Sequence, residues 1–310
     1  MTPLVAILGP TATGKSALAI ALAERLGGEV VGCDSTAVYR RFDIGTDKVP
    51  VADQRGIPHH LIDVVEPTVA YSAARYAQDA AAAIRDILAR GRRPILAGGT
   101  GLYYRALTRG IFPGPARDEA LRAALDARAA ADGVEVLHAA LRRVDPASAD
   151  RILPRDQKRI VRALEVYELT GRPLTEHFDR TVSPIAGLPV LALGLRIPPE
   201  LTAERVARRV DRQFARGVVA EVEALLAAGV PESAHPFTGL VYRQVLEYLH
   251  GVRDLAATRA LIVQENRRYA RRQLIWFRKE PNLHWLAAPG ELVTTVQIAI
   301  DALRARGLDA

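Results

Sequence analysis

The chain has 310 residues, about half of them apolar and a quarter charged, with 42 basic against 35 acidic side chains. That length buries a core without staples, and the single cysteine, Cys33, excludes a disulfide framework and a cysteine-rich zinc module. No basic leader region opens the sequence and no apolar run approaches the roughly 18 residues of a membrane span, so a soluble, cytoplasmic protein with no membrane partner is expected.

In chain order, Leu4–Leu8 is a short apolar run that ends in glycine and predicts a strand, and Ala17–Leu26 has helical composition. Glu29–Gly32 predicts a second strand, Tyr71–Arg90 a long alanine-rich helix, and Arg93–Ala97 a third strand closed by Gly98-Gly99. Strands alternating with helices imply βαβ units and a parallel sheet. Pro113-Gly114-Pro115 then reads as a linker. From there to about Arg180 the pattern is helix after helix, broken at Asp145-Pro146 and Leu153-Pro154. Pro189–Ile197 returns as an apolar strand, and two long helices follow, Ala203–Ala228 and Thr258–Arg278. Leu283–Leu286 predicts an edge strand and Glu291–Arg306 a closing helix. The expectation is an α/β fold: a P-loop NTPase-like, nucleotide-kinase-like parallel-sheet core over residues 1–115 and 190–310, with an all-helical domain inserted at 116–189.

Gly9-Pro10-Thr11-Ala12-Thr13-Gly14-Lys15-Ser16 matches G-x-x-x-x-G-K-[ST] at every fixed position, with a strand before it and a helix after it. Backbone N–H groups of such a loop converge on one spot and attract anionic oxygens. Lys15 adds a point charge, and Ser16 is a candidate ligand for Mg²⁺. The pattern specifies a di- or triphosphate and leaves the reaction open.

Two further strand ends point to the same rim, where parallel sheets bind their ligands. Asp34 follows the second strand, either as a carboxylate facing the cradle or as the oxygen of an Asx turn. The third strand ends in Gly98-Gly99-Thr100-Gly101, which offers the hydroxyl of Thr100 where many kinases carry a metal-binding Asp. A diphosphate cradle, one carboxylate and one hydroxyl suit a transfer in which diphosphate leaves. A small-molecule kinase using ATP is the alternative, because some nucleotide kinases also place an Asp after the second strand.

These stretches resemble the bacterial tRNA dimethylallyltransferases, also called isopentenyl-diphosphate:tRNA transferases. The resemblance is carried by Gly9–Ser16, by Asp34–Arg40 with Asp43–Thr46, by Gly56–Asp63 and by Gly98–Tyr103. Lys158–Val166 and Glu265–Leu274 continue it in the family's order, over about nine tenths of the chain. Gln213 stands where many members carry Met, and the zinc-binding tail of eukaryotic relatives is absent.

The resemblance implies transfer of a dimethylallyl group from dimethylallyl diphosphate to N6 of the adenosine 3′-adjacent to the anticodon, with Mg²⁺ as cofactor. The core and the insertion together would clamp the anticodon stem-loop of tRNA. Asp34 matches the general base, and Thr100 a threonine at the reaction centre that also touches tRNA. Gly9, Pro10, Thr11, Ala12, Thr13, Gly14, Lys15 and Ser16 match the diphosphate-binding stretch, and Arg209 an arginine that reaches the donor phosphates. Asp34, Ser35, Thr36, Ala37, Arg122, Lys158, Arg159, Ile160, Val161 and Arg162 match tRNA-contacting positions. A monomer is expected.

The net charge of +7 fits a polyanionic partner, but it also follows from arginine richness, since only Lys15, Lys48, Lys158 and Lys279 are lysines. The charge is locally uneven. Arg151, Arg155, Lys158, Arg159 and Arg162 surround a single acid, Asp156, and Glu265–Glu280 interleaves arginines with Tyr269, Trp276 and Phe277. Either stretch is a phosphate-binding face or a solvated helix face. His59-His60 lacks the partners of a metal site. It reads as structural or as lining of the site, and Trp276 and Trp285 read as packing residues.

Overall fold

The computed structural model describes residues 2–306. Six strands form one all-parallel sheet: β1 (Leu4–Leu8), β2 (Gly28–Cys33), β3 (His59–His60), β4 (Arg93–Gly98), β5 (Val190–Leu195) and β6 (Leu283–Leu286), in the order β3-β2-β4-β1-β5-β6. Every residue of β1 is buried, as a central strand covered on both faces requires. Its side chains alternate between two cores. Val5 and Ile7 meet Leu18, Leu22 and Leu303, whereas Leu4, Ala6 and Leu8 join the layer of Tyr76, Ile84 and Phe277.

Helices α1 (Lys15–Leu26), α2 (Ala73–Ala89) and α3 (Gly101–Arg109) follow strands β1, β3 and β4. The serine preceding α2 caps it, Ser72 Oγ accepting from the Arg75 N–H at 3.2 Å. The chain divides into two compact units, Met1–Leu107 with Ile185–Ala310, and Thr108–Pro184. The Pro113-Gly114-Pro115 turn lies inside the second unit. That unit contains α4 (Glu119–Asp132), α5 (Val134–Val144), α6 (Pro146–Arg151), α7 (Gln157–Thr170) and α8 (Leu174–Asp179), and no strand among the described residues. It has its own core of Leu137, Leu141, Ile160, Ala163 and Leu164. The expected break at Asp145-Pro146 is a helix start: Asp145 caps α6 through Ser148 N–H at 3.0 Å, with Pro146 in the first turn.

In the sheet unit, α9 (Pro199–Ala215), α10 (Val218–Ala227), α11 (Tyr242–Leu249), α12 (Leu255–Phe277) and α13 (Val293–Arg304) complete the layers. The single helix expected over Ala203–Ala228 is two. Gly217 takes φ 87 between α9 and α10, a left-handed conformation that ends the first helix and starts the second. No helix among the described residues is long and apolar enough to cross a membrane.

Candidate active site

The C-terminal ends of β1, β2 and β4 open onto a cavity of about 970 Å³ within the sheet unit. From β1 comes the loop Gly9–Ser16. A Cβ on Gly9 (φ 135) would stand 2.6 Å from the Leu195 carbonyl oxygen, and one on Gly14 (φ 88) 2.2 Å from a Glu291 carboxylate oxygen. Glycine alone fits both places. No side chain caps α1, so the N–H groups of its first turn remain available to an anion.

Lys15 Nζ donates to the Pro10 carbonyl at 2.5 Å. Burial, then the neighbouring Arg209 guanidinium, pull the Lys15 ammonium down to about 7, against the opposing pull of Asp34 and Cys33. A bound diphosphate would reverse that balance. It would place negative charge between two cations that otherwise repel each other.

β2 delivers Asp34, whose two readings from the sequence are compatible. Oδ1 accepts from Thr36 N (2.8 Å), Thr36 Oγ1 (2.7 Å) and Ala37 N (3.2 Å), which is an Asx turn. Oδ2 has no partner among the described residues, and Asp34 lines the cavity. Ser35, Thr36 and Ala37 line it too.

β4 ends with Gly98 so close to β2 that a Cβ would lie 2.0 Å from the Cys33 carbonyl oxygen. Thr100 then starts α3 by accepting from Tyr103 N at 3.0 Å, and its Oγ1 accepts the Ser35 N–H at 3.1 Å. That hydroxyl ties the end of β4 to the residue after Asp34 and keeps its own proton to donate. The Cys33 thiol is pushed up to about 12 by burial, which makes it inert as a nucleophile.

The opposite wall is α9. Arg205, Arg208, Arg209 and Arg212 all line the cavity at the i, i+3, i+4, i+7 spacing of one helical face. The inner pair is half-buried and held in place. Arg209 donates to Thr11 Oγ1 and to the Thr46 carbonyl (3.3 Å) and pairs with Asp47 at 3.1 Å. Arg205 pairs with Glu291 and reaches the Ala12 carbonyl at 3.5 Å. The outer pair is exposed, with Arg208 against Glu204 at 3.2 Å and Arg212 unpaired among the described residues. The loop that aims Arg209 is fixed in turn. Glu221 accepts the N–H groups of Asp43 (2.8 Å), Ile44 (2.7 Å) and Gly45 (3.2 Å), while Gln213 donates to Ile44 and Gly45 carbonyls at 3.2 and 3.0 Å.

From α12, Asn266, Tyr269, Arg272 and Gln273 face the cavity. Gln273 is buried; its Oε1 accepts from Thr11 N at 2.8 Å and its Nε2 donates to Gly99 O at 2.9 Å. Burial, with the negative charge of Asp34 second, raises the Tyr269 phenol well above its ordinary value, so it stays a neutral donor.

The helical unit sorts its candidates differently. Arg122 makes a two-pronged pair with Glu165 (2.8 and 2.8 Å), Arg162 adds a third bond at 2.6 Å, and the Asp118 N–H a fourth at 2.9 Å. Glu165 is fully buried, and these donors hold its carboxyl down to about 2 against the burial that pushes the other way. Ile160 and Val161 point into the unit's core, so their side chains are not offered to RNA. Lys158 and Arg159 are exposed on the same helix, Arg159 beside Asp156 at 3.2 Å.

His60 pairs with the buried Glu29 at 2.7 Å, which Arg90 also grips at 2.7 Å, while His59 lines the cavity. Trp276 and Trp285 pack against the sheet unit's core, and Arg105 lies 4.6 Å over the Trp276 ring. Sequence reasoning missed Arg205, Arg208 and Arg212, although their spacing was visible. It also gave Gln273 no role, and no local pattern distinguishes that residue from any other polar helix position.

A parallel sheet with the Gly9–Ser16 loop at the tip of a central strand makes this a P-loop protein. Its fourth strand ends in glycine and threonine where many kinases present a metal-binding carboxylate, and arginines of α9 line the same cavity. The family model described as IPP transferase matches residues 37–280. The chain belongs to the IPP transferase family. A tRNA dimethylallyltransferase of Solibacter usitatus is 46% identical over 299 residues, covering 96% of this chain and 97% of that protein. One from Thermomicrobium roseum is 48% identical, covering 91% of this chain and 85% of the relative. Among solved structures, the full-length tRNA isopentenylpyrophosphate transferase of Bacillus halodurans matches with a TM-score of 0.73 at 35% identity, over 100% of this chain and 97% of that one. A eukaryotic dimethylallyltransferase acting on tRNA matches at 0.81 and 26% identity, over 99% of this chain and 80% of that one.

Proposed function

We propose that this protein transfers the dimethylallyl group from dimethylallyl diphosphate to N6 of the adenosine 3′-adjacent to the anticodon of tRNA, releasing diphosphate. The observation that carries the reading is a single cavity in which the α1 N-terminus, Lys15 and Arg209 face the free oxygen of Asp34. The two substrates of such a transfer need these two chemistries side by side. The named activities of the family's relatives support the same assignment.

The N–H groups of the loop Gly9–Ser16 other than that of Thr11, with Lys15 and the inner arginines of α9, bind the diphosphate and stabilise the charge it gains as the bond from its oxygen to the prenyl carbon breaks. The new bond forms between that carbon and N6. Asp34 takes the N6 proton through Oδ2 while Oδ1 stays committed to the turn, which keeps the carboxylate aimed. Thr100 holds Ser35 and so fixes the backbone next to that base. The adenine must leave its stack to enter, at a cost of roughly a few kcal/mol. Ser35 to Ala37, Arg122, Lys158, Arg159 and Arg162 are the proposed tRNA contacts. For Ile160 and Val161 the contact would be through backbone only.

The residues fit a magnesium ion that arrives with the donor. Ser16 exposes its hydroxyl at the start of α1, and no group of three His, Cys, Asp or Glu among the described residues would hold a metal unaided. Mg²⁺ typically takes one or two protein ligands, several waters and substrate phosphates. When bound, it would neutralise charge on the leaving diphosphate. The reading includes a cytoplasmic monomer.

The test is incubation with Mg²⁺, labelled dimethylallyl diphosphate and unmodified tRNA carrying adenosine 3′ of the anticodon. Label is expected in the tRNA, and not with Asp34→Ala. Absence of label, with phosphate moving from γ-labelled ATP to a small acceptor instead, would replace this reading with a kinase.

A further inference from the structure

We propose that Gln273 is a positioning residue for the transfer, a clamp that locks the donor loop to the end of β4; this rests on the function proposed above. The donor loop departs from an ordinary phosphate cradle in one place. In a phosphate cradle the backbone N–H groups are the anion's ligands. Here the N–H of Thr11 is instead spent on a protein side chain, Gln273 Oε1, at 2.8 Å. The same amide donates Nε2 to the Gly99 carbonyl at 2.9 Å. One planar group therefore spans two loops from different strands, and both its polar ends are satisfied in a buried place.

The surroundings are shaped to that span. A Cβ on Gly99 would lie 2.2 Å from Gln273 Nε2, so the glycine leaves the room that the amide fills. Thr11, fixed through its N–H, receives the Arg209 guanidinium on its hydroxyl. Gly99 precedes Thr100, whose hydroxyl holds the N–H of Ser35 beside Asp34. Gln273 thus sits at the head of two short chains, one to the donor-side arginine and one to the acceptor-side base. Both of its hydrogen-bonding ends are spent on the two loops. Its effect is on their separation and aim, and misplacement of about 1 Å between reacting groups costs up to about 10²-fold in rate.

Two substitutions separate this role from plain structural support. Gln273→Met keeps the volume and removes both hydrogen bonds. Gln273→Glu keeps the acceptor for Thr11 but sets a carboxylate oxygen against the Gly99 carbonyl. Burial favours protonation of the introduced carboxyl, and its protonated form again accepts from Thr11 and donates to Gly99.

The experiment measures prenyl transfer to tRNA by the parent and both variants from about pH 6 to pH 8.5, with thermal unfolding and RNA affinity alongside. Gln273→Met is expected to lower kcat by about tenfold to 10²-fold with RNA affinity unchanged. The activity of Gln273→Glu, divided by that of the parent at the same pH, is expected to rise as pH falls. A parent-like kcat for a folded Gln273→Met overturns the proposal. So does a Gln273→Glu ratio that is flat with pH, and that ratio decides the matter if the Met variant does not fold. A parent that transfers no prenyl group fails the function itself, a result distinct from either of these.

Discussion

Half-buried arginines occur in both units and meet different surroundings. In the helical unit, Arg122 and Arg162 share one carboxylate of the protein, the buried Glu165, which accepts four hydrogen bonds. In the sheet unit, Arg205 and Arg209 are held by loop carbonyls and by half-exposed acids, with Arg208, Arg212, Arg243 and Arg272 around them. Eight cationic side chains line that cavity against four carboxylates. That surplus suits the anionic donor proposed above. Burial of an arginine therefore does not by itself say how much of its charge is left for a ligand; the balance of cations and carboxylates around it does.

The sharpest way to break this comparison is at Asp34, the cavity carboxylate at the end of β2 whose Oδ1 is held by the turn while Oδ2 is left to accept a proton from N6. Asp34→Asn retains an oxygen for the Thr36 and Ala37 N–H groups and loses the base. A fall of about 10²–10⁴-fold in single-turnover transfer is expected, with tRNA affinity little changed. If affinity falls in step with rate, Asp34 belongs to the RNA surface and the base assignment is lost.

Next in size is the helical unit's own charge centre. Glu165→Ala strands Arg122 and Arg162, and removing one partner of a buried pair costs about 3–5 kcal/mol. Reduced unfolding stability is expected, with binding of inorganic diphosphate unchanged. The acid side has a definite sign. The Glu165 pKa is depressed from the ordinary 4.5 to about 2 in the folded protein, so its stabilisation is complete above about 4.5 and is lost as pH falls toward 2. Glu165→Gln should therefore flatten acid unfolding in that window. If it does not, the Glu165 cluster contributes nothing that the cavity's arginines lack.

What could be read from the sequence follows the same division. The Gly9–Ser16 loop was legible because its chemistry is local, and β1, β2, β4, β5 and β6 were legible because apolar runs bounded by glycine and proline say enough by themselves. β3 is only two residues long, and α11 carries its apolar period (Tyr242, Val245, Leu246, Leu249) over only eight residues, so neither showed. The merging of α9 with α10 came from discounting one glycine in an otherwise helical run. Asp34 was ambiguous because the sequence cannot divide one carboxylate into two oxygens with separate tasks. Gln273 was invisible because its partners, Thr11 and Gly99, lie 262 and 174 residues away.

Lys15 sharpens the comparison further. Its pKa of about 7 reflects burial and the nearby Arg209 charge. A bound diphosphate would add negative charge beside both cations, so its binding should draw a proton onto Lys15 at pH 7 to 8, and affinity should weaken by at most about tenfold per pH unit above that range. Titration calorimetry in two buffers of different ionisation enthalpy measures the uptake. Lys15→Arg, which stays charged throughout, should remove that share of it. Equal uptake by the two proteins would mean that Lys15 is already charged and the cavity is less cation-rich than its geometry says.

The smallest effects are expected at the exposed cations, and they decide whether the two units share one RNA. Arg212 on α9 and Lys158 on α7 both lack partners among the described residues. A cation that meets an RNA phosphate releases counterions, so its loss lowers the salt dependence of binding by about one in slope on a log–log plot. Arg212→Ala and Lys158→Ala should each show that decrement, and the double variant the sum of the two. Glu165→Gln, whose arginines remain charged, should leave the slope nearer the parent's. A decrement for Arg212 but none for Lys158 would confine RNA contact to the cavity rim and leave the exposed face of α7 to solvent.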